Sequence, residues 1–386
     1  MNSRMHDFSF ILPTRIEFGA GKIKKLPDIL KEVGAKHPFI VTDPGIVKAG
    51  ILPVVEDLLK AVIPDYIVFS EVEANPKDKN VEEGAKLAKD FGADLLIAVG
   101  GGSPIDCAKA ISILMTLGGK IRDYEGRNNF AALPIPLIAV PTTAGTGSEV
   151  TFSSVITDSS EKFKFSIRAE GIAPKVALAD PELTVTLPPM LTAATGMDAL
   201  THAIEGYTSL LAEPIAEACG LYAVSLISKN IRRAVECGED LGARANMLAG
   251  SILAGISFSH SDVASVHCIA EALGGKYDAP HGLCNSVVLS EIMEYNLPYC
   301  VEKYSEIAKS MGLSFSTKEE GAQMATAEVK RMAKDIGLPS FASLGVKMED
   351  LEEIAKNSFR NGSNSSNPRP MSEKDYLTVL KKLMSQ

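Results

Sequence analysis

The chain has 386 residues, 46% hydrophobic and 23% charged, an ordinary composition for a folded protein and enough for more than one core. Its net charge of −9 excludes a broad nucleic-acid surface, which needs an excess of Lys and Arg. A small anionic ligand held by a local site is not excluded.

Residues 1–21 contain no long apolar run, so neither a signal peptide nor a membrane anchor is expected. The six cysteines form no C-x-x-C pair and read as scattered reduced thiols of a cytoplasmic protein. PFIVTD (38–43), DYIVFS (65–70), DLLIAVGGG (94–102) and PLIAVPTT (136–143) are short, apolar and β-branched, as buried strands are. Between them, 50–62 and 80–92 carry helical periodicity. Alternating strands and helices predict a parallel sheet with helices on both faces. VIT and FKFSI around TDSSEK predict a β-hairpin within 152–168.

After Leu187, Pro188 and Pro189 the strand signals stop. Segments 191–207, 214–236, 243–258, 263–273 and 317–337 are rich in Ala, Leu, Ile and Met and read as helices. RNGSNSSNPRP (360–370) reads as a loop before a last short helix, 372–384. The expectation is an α/β domain over 1–187, an all-α domain over 188–386 and a ligand cleft between them.

The strand, glycine turn and helix in LLIAVGGGSPIDCAKAISIL suit a nucleotide. Gly100, Gly101 and Gly102 let a phosphate approach the backbone, and the helix N-terminus offers free N–H groups. Ser103 is expected to cap that helix, with Pro104 in its first turn and Asp106 three residues past the cap. A ligand-free turn with a capping box is the plainer reading, but three consecutive glycines exceed what it needs. Asp43 ends a strand well before the glycines, unlike the acidic residue of a standard Rossmann unit. It would accept hydrogen bonds from an adenosine ribose and repel a 2′-phosphate, favouring NAD over NADP; equally, it reads as a turn residue before Pro44. PTTAGTGSEVT (141–151) is a second polar loop of ligand-binding composition.

Asp198 and His202 lie four residues apart, on one face of a helix. His267 falls in a second helix, and His281 follows Pro280 in what reads as a helix-free connection. One carboxylate and three imidazoles suit one divalent transition metal, Fe(II) or Zn(II), acting as a Lewis acid. Each histidine alone is better read as a satisfied core residue. Committing three of the six histidines to one site is the stronger statement.

Taken together, VTD (41–43), NP (75–76), GGGSPID (100–106), PTTAGTGSEVT (141–151), ATGMDALTHAIEGY (194–207), VHCIAEALGG (266–275), PHGLCNS (280–286) and NPR (367–369) resemble the iron-containing (group III) alcohol dehydrogenases over essentially the whole chain. The lactaldehyde/propanediol reductase and 1,3-propanediol dehydrogenase branch looks nearest. The resemblance implies the dehydroquinate-synthase-like iron alcohol dehydrogenase fold, with an N-terminal nucleotide-binding domain and a C-terminal helical domain holding iron. It implies Asp198, His202, His267 and His281 as metal ligands. It implies Asp43, Asn75, Gly101, Gly102, Ser103, Thr142, Thr143, Thr151, Lys162 and Lys164 around NAD, and Ser153, Phe258 and Ser363 around the substrate. It further implies hydride transfer between nicotinamide and a small alcohol or aldehyde, and a homodimer or larger assembly joined near residues 8–19. A glycerol-dehydrogenase-like zinc polyol dehydrogenase and a non-redox, NAD- and metal-using enzyme on the same fold are the alternatives.

The chain departs from the family at Glu271, where a further histidine is usual, four residues after His267. One helical turn separates the two, so Glu271 should face the same cleft. Three readings stand: a substrate-pocket carboxylate, a proton relay, or a member of the metal shell that favours Zn or another ion; the pocket role is expected, with proton transfer as a lesser addition. A carboxylate there disfavours anionic substrates and suits hydroxyl-rich or cationic ones.

Overall fold

The computed structural model describes residues 7–127, 130 and 132–385. Five helices accompany the strands of the N-terminal part: α1 (Leu26–Val33), α2 (Pro44–Lys48), α3 (Ile51–Lys60), α4 (Asp78–Phe91) and α5 (Gly102–Leu117). A six-stranded parallel sheet holds β1 (Arg15–Phe18), β2 (Pro38–Val41), β3 (Ile67–Phe69), β4 (Leu95–Gly100), β6 (Leu137–Pro141) and β9 (Val176–Ala179). Its strand order is β1-β9-β6-β4-β2-β3. A small second sheet holds β5 (Gly126–Arg127), β7 (Ser153–Asp158) and β8 (Phe163–Arg168). The expected hairpin is the antiparallel pair β7–β8, in register from Ser153 opposite Arg168 to Asp158 opposite Phe163.

The central strands are apolar at every position because both faces are covered. Phe39, Val41, Leu96, Ala98, Leu137 and Ala139 pack on one side with residues of α4 and α5. Ile40, Leu95, Ile97, Val99, Ile138 and Val140 pack on the other with residues of α1 and α3. This is the alternation that a pleated strand requires.

From Pro189 onward the chain is helical: α6 (Pro189–Thr208), α7 (Pro214–Glu236), α8 (Leu241–Ser261), α9 (Ser265–Tyr277), α10 (His281–Ser310), α11 (Lys318–Asp335), α12 (Leu351–Arg360) and α13 (Glu373–Met384). One core drawn from residues 193–384 holds these helices together. A small apolar cluster joins the two parts, with Val150, Ala177 and Ala179 against Leu248, Ile252 and Ile256. Among the described residues no helix is long and apolar enough to cross a membrane.

Helices α10 and α12 have no counterpart in the sequence reading. Residues 281–310 contain β-branched residues and Pro298, which lies inside the helix. A mid-helix proline removes a backbone hydrogen bond. Here α10 persists because Val288, Leu289, Ile292 and Met293 are buried in the helical core, so packing outweighs local propensity. His281 is the first residue of α10, after the N-cap Pro280, and not part of a free connection.

Candidate active site

Parallel strands all end on the same edge of the sheet. β2 pairs with β3 on one side and β4 on the other, so the connections diverge between β2 and β4. Such switch points are where open α/β sheets bind ligands. Asp43 follows β2, Gly100–Gly102 closes β4, and Thr142 and Thr143 follow β6, whose Pro141 pairs with Gly100. The three strand ends line one wall of a cavity of about 1100 Å³.

The glycine turn is tight. Gly100 adopts φ +149, and a Cβ there would lie 2.6 Å from Pro104 Cγ. A Cβ on Gly102 would lie 2.7 Å from Thr146 Cγ2, and one on Gly101 would lie 3.0 Å from Thr143 Oγ1. The two polar loops therefore meet backbone to side chain. Helix α5 begins earlier than expected, with Gly101 as N-cap and no side-chain capping bond. Ser103 thus lies inside the first turn, Gly101, Gly102 and Ser103 line the cavity, and the helix start has no side-chain cap. This arrangement fits a pyrophosphate.

Asp106 serves a different purpose from the expected capping box. It accepts from Ser148 Oγ and, at 3.0 Å, from Val155 N. Beneath it lies Lys109, fully buried, whose Nζ donates to Thr151 Oγ1 at 2.9 Å, Ser148 Oγ at 3.1 Å and Ser153 O at 2.7 Å. Burial lowers the Lys109 pKa to about 8 against the pull of Asp106 and Glu149. This pair pins the 148–155 segment to α5. Asp106 and Lys109 lie one helical turn apart in the sequence (i, i+3), which is the signal the sequence reading passed over.

Asp43 takes the turn role, its Oδ1 capping α2 by accepting from Ile46 N at 3.0 Å, and it also lines the cavity. Burial raises its pKa. Asn75, at φ 52, accepts from Lys164 Nζ at 2.7 Å and donates to Asp278 Oδ1 at 2.9 Å, tying the sheet to the turn between α9 and α10. Lys77 Nζ reaches the same Asp278 oxygen at 2.7 Å. Thr142, Thr143, Thr151 and Lys164 line the cavity, and the buried Thr142 Oγ1 has no protein partner. Lys162 is not brought there. It lies exposed on the β7–β8 turn at φ 51, just before β8 begins, and so does not share the strand face that carries Lys164.

One candidate donor atom from each of Asp198, His202, His267 and His281, which also line this cavity, lies within 4.8 Å of the others. Asp198 and His202 come from α6, His267 from α9 and His281 from the start of α10. Nε2 of His202 and Nε2 of His267 are 2.9 Å apart. Burial, resisted by Asp198, pushes His202 down to about 4 and His281 to about 3, so both imidazoles are neutral at pH 7 with lone pairs to donate. Burial raises the Asp198 pKa, but the three histidines outweigh it and the net shift is downward. His267 differs: burial lowers its pKa, but the Glu205 carboxylate outweighs that and the net shift is upward. A carboxylate and three imidazoles gathered at one buried point are the donor chemistry of an Fe(II) or Zn(II) site.

Two neighbours that the sequence reading missed support this cluster. Glu205 Oε2 lies 2.6 Å from His267 Nδ1, and its carboxylate also accepts from Ala264 N and Val266 N at 2.9 and 2.7 Å. It follows His202 by three residues, on the same helical face. Asn285, one turn after His281, donates to Asp198 Oδ1 at 2.6 Å. The Phe258 ring stacks on His202 with centroids 4.4 Å apart, so this pocket residue also holds the imidazole plane.

Glu271 lines the cavity, and its Oε2 accepts from Asn361 Nδ2 at 2.6 Å. Ser153 lines the cavity too. Ser363 does not: it is buried and donates to Asp262 Oδ1 at 2.9 Å, which also receives Arg168 at 2.7 Å. Arg168 takes the lining position instead, because Ser363 sits behind Asp262.

Residues 13–181 match the sequence model of the iron-containing alcohol dehydrogenases, and residues 192–384 match that of the C-terminal domain of the Fe-containing alcohol dehydrogenase family. The chain is 39% identical to the NAD-dependent methanol dehydrogenase of Bacillus methanolicus, over 97% of this chain and 99% of that protein. It is also 39% identical to the 1,3-propanediol dehydrogenase of Citrobacter freundii, over 99% of each. The crystal structure of a 1,3-propanediol oxidoreductase superposes with a TM-score of 0.95 at 38% identity, over 98% of this chain and 100% of that one. The chain belongs to the iron-containing alcohol dehydrogenase family.

Proposed function

We propose that the protein is a metal-dependent, NAD(H)-linked alcohol dehydrogenase or aldehyde reductase acting on small alcohols. The observation that carries this reading is one cavity lined both by the glycine turn after β4 and by a convergent Asp198, His202, His267 and His281 cluster. The same four side chains are the metal ligands we assign. The cofactor wall comprises Asp43, Asn75, Gly101, Gly102, Ser103, Thr142, Thr143, Thr151 and Lys164, without Lys162. A bound divalent ion supplies Lewis-acid polarisation of the substrate oxygen, and NAD(H) accepts or gives the hydride.

The chain's own residues do the remaining work. The α5 N-terminus and the glycine turn seat the pyrophosphate. Asp43 accepts from the adenosine ribose and disfavours a 2′-phosphate. Lys109 holds Thr151 and the Ser153 backbone in place, fixing a stretch of cavity wall that a bound nicotinamide would use. Glu205 orients His267, and Phe258 orients His202. Closely fixed partners matter because hydride transfer depends on correct placement of the two carbons.

Glu271 lines the substrate end as a carboxylate held by Asn361, and it suits a second hydroxyl or a cationic group on the substrate. Ser153 and Arg168 add polar groups nearby. The names of the 39%-identical relatives span methanol, choline and 1,3-propanediol, so identity alone does not select among them. The polar side chains Glu271, Ser153 and Arg168 favour diols over long apolar alcohols. The chain would work as two domains, 1–187 and 188–386, with the ligands between them. We also propose a cytoplasmic homodimer or larger homo-oligomer, supported by exposed Phe8, Ile11 and Leu12 just before β1, the end strand of the sheet among the described residues.

The test is a panel of small alcohols and diols with NAD or NADP after reconstitution with Fe(II) or Zn(II). NADH formation with diols ahead of long apolar alcohols supports the reading. Metal-dependent turnover with no net NADH overturns it in favour of a non-redox enzyme.

A further inference from the structure

Asn285 is fully buried and lies four residues after His281, on the same face of α10. Its side-chain nitrogen donates to Asp198 Oδ1 at 2.6 Å and lies 3.1 Å from Nε2 of both His267 and His281. Its Oδ1 has no partner, so the amide is placed by what its nitrogen touches. Among the described residues, this is the hydrogen bond that holds the Asp198 carboxylate; the contacts of Asp198 with His202 and His281 are longer, at 3.9 and 3.8 Å.

We propose that Asn285 is a positioning residue of the metal centre, fixing the Asp198 carboxylate so that the four donors converge on one ion. The proposal rests on the metal reading above. A carboxylate on a single Cβ can rotate about two bonds, and a buried one turns toward whatever donor is near. Holding one oxygen with an amide N–H presents the other in a fixed direction. His267 is held in the same way by Glu205 from the opposite side, so two ligands of the quartet have dedicated partners. Partners of this kind are worth 10–100-fold in metal affinity when removed.

The Oδ1 atom accepts nothing, so a leucine of similar shape at this position loses only the donor. The full-length protein is stripped of metal and titrated with Zn(II) against a chromophoric chelator, for wild type, Asn285→Leu, Asn285→Ala and Cys284→Ala. Cys284 is the adjacent buried residue on α10 and controls for a packing defect. Melting temperature of each metal-free protein reports folding separately. The expected result is a Zn(II) dissociation constant about 10–100-fold weaker in both Asn285 variants, with Cys284→Ala like wild type. Should Asn285→Ala fail to fold, Asn285→Leu decides the matter. A folded Asn285→Leu that binds Zn(II) like wild type overturns the positioning role and leaves the metal reading intact. An equal loss in Cys284→Ala also overturns it, as a generic packing effect. A wild-type chain that binds no Zn(II) overturns the metal reading and this proposal with it.

Discussion

Glu205 Oε2 lies 2.6 Å from His267 Nδ1, and the same carboxylate accepts the backbone N–H groups of Ala264 and Val266 at the start of α9. One side chain thus fixes both a ligand's tautomer and the helix that carries it. Glu205→Gln keeps the shape but weakens the bond to the imidazole. Metal affinity, measured by chelator competition, should fall about 10–100-fold with a small change in melting temperature. Glu205→Ala leaves two buried N–H groups unpaired and should cost a further ~2 kcal/mol or more of stability in denaturant titration.

Gly102→Ala places a methyl 2.7 Å from Thr146 Cγ2. That contact displaces the 142–148 loop from the glycine turn. Affinity for NAD, measured by fluorescence or calorimetric titration, should fall at least about tenfold, equivalent to roughly 1.4 kcal/mol. Metal content should fall less than NAD affinity, because the displaced loop touches the quartet only through the Gly145 backbone at His202.

Asp43→Ser keeps a capping oxygen for α2 but removes the negative charge, so NADP should gain relative to NAD in kcat/KM. Asp43→Ala also loses the bond to Ile46 N and should cost about 1 kcal/mol of stability. Unchanged cofactor preference in both variants would remove Asp43 from the ribose site.

Glu149 is buried, its Oε1 lacks a partner, and burial raises its pKa from 4.5 to about 7. The folded state therefore holds a proton that the unfolded state releases between pH 4.5 and 7. Folded and unfolded states bind equal protons below that window, so the effect is absent there. Within it, stability falls as pH rises, and the full cost remains above it. Glu149→Gln removes this dependence. Its stability relative to wild type should rise from pH 4.5 to 7 and level off, by on the order of 3 kcal/mol. A stability difference that is flat with pH would show that Glu149 titrates normally.

Much of this site is readable before folding because its residues sit at strand ends and on single helical faces. Asp198 and His202 declare themselves by i, i+4 spacing, and the glycine turn by its place between a strand and a helix. The β7–β8 hairpin is equally local. What could not be read is carried by tertiary context. Helix α10 forms across Pro298 because its apolar face is buried. Lys162 and Lys164 share a motif, but the strand and turn send only Lys164 to the cavity. Ser363 lies behind Asp262, a relationship spanning 101 residues. Glu205 and Asn285 have no chemistry of their own in the sequence and gain a role only beside His267 and Asp198.

The central claim is that the four-residue cluster and the nucleotide wall form one oxidoreductase site. Its most direct measurement is NADH formation from 1,3-propanediol and NAD by metal-stripped protein, before and after adding Fe(II) or Zn(II), alongside His202→Ala. The account predicts no NADH without metal, recovery as one ion binds per chain, and no recovery in His202→Ala despite intact NAD binding. Full activity in the metal-free protein, or in a folded His202→Ala that retains no metal, would contradict it.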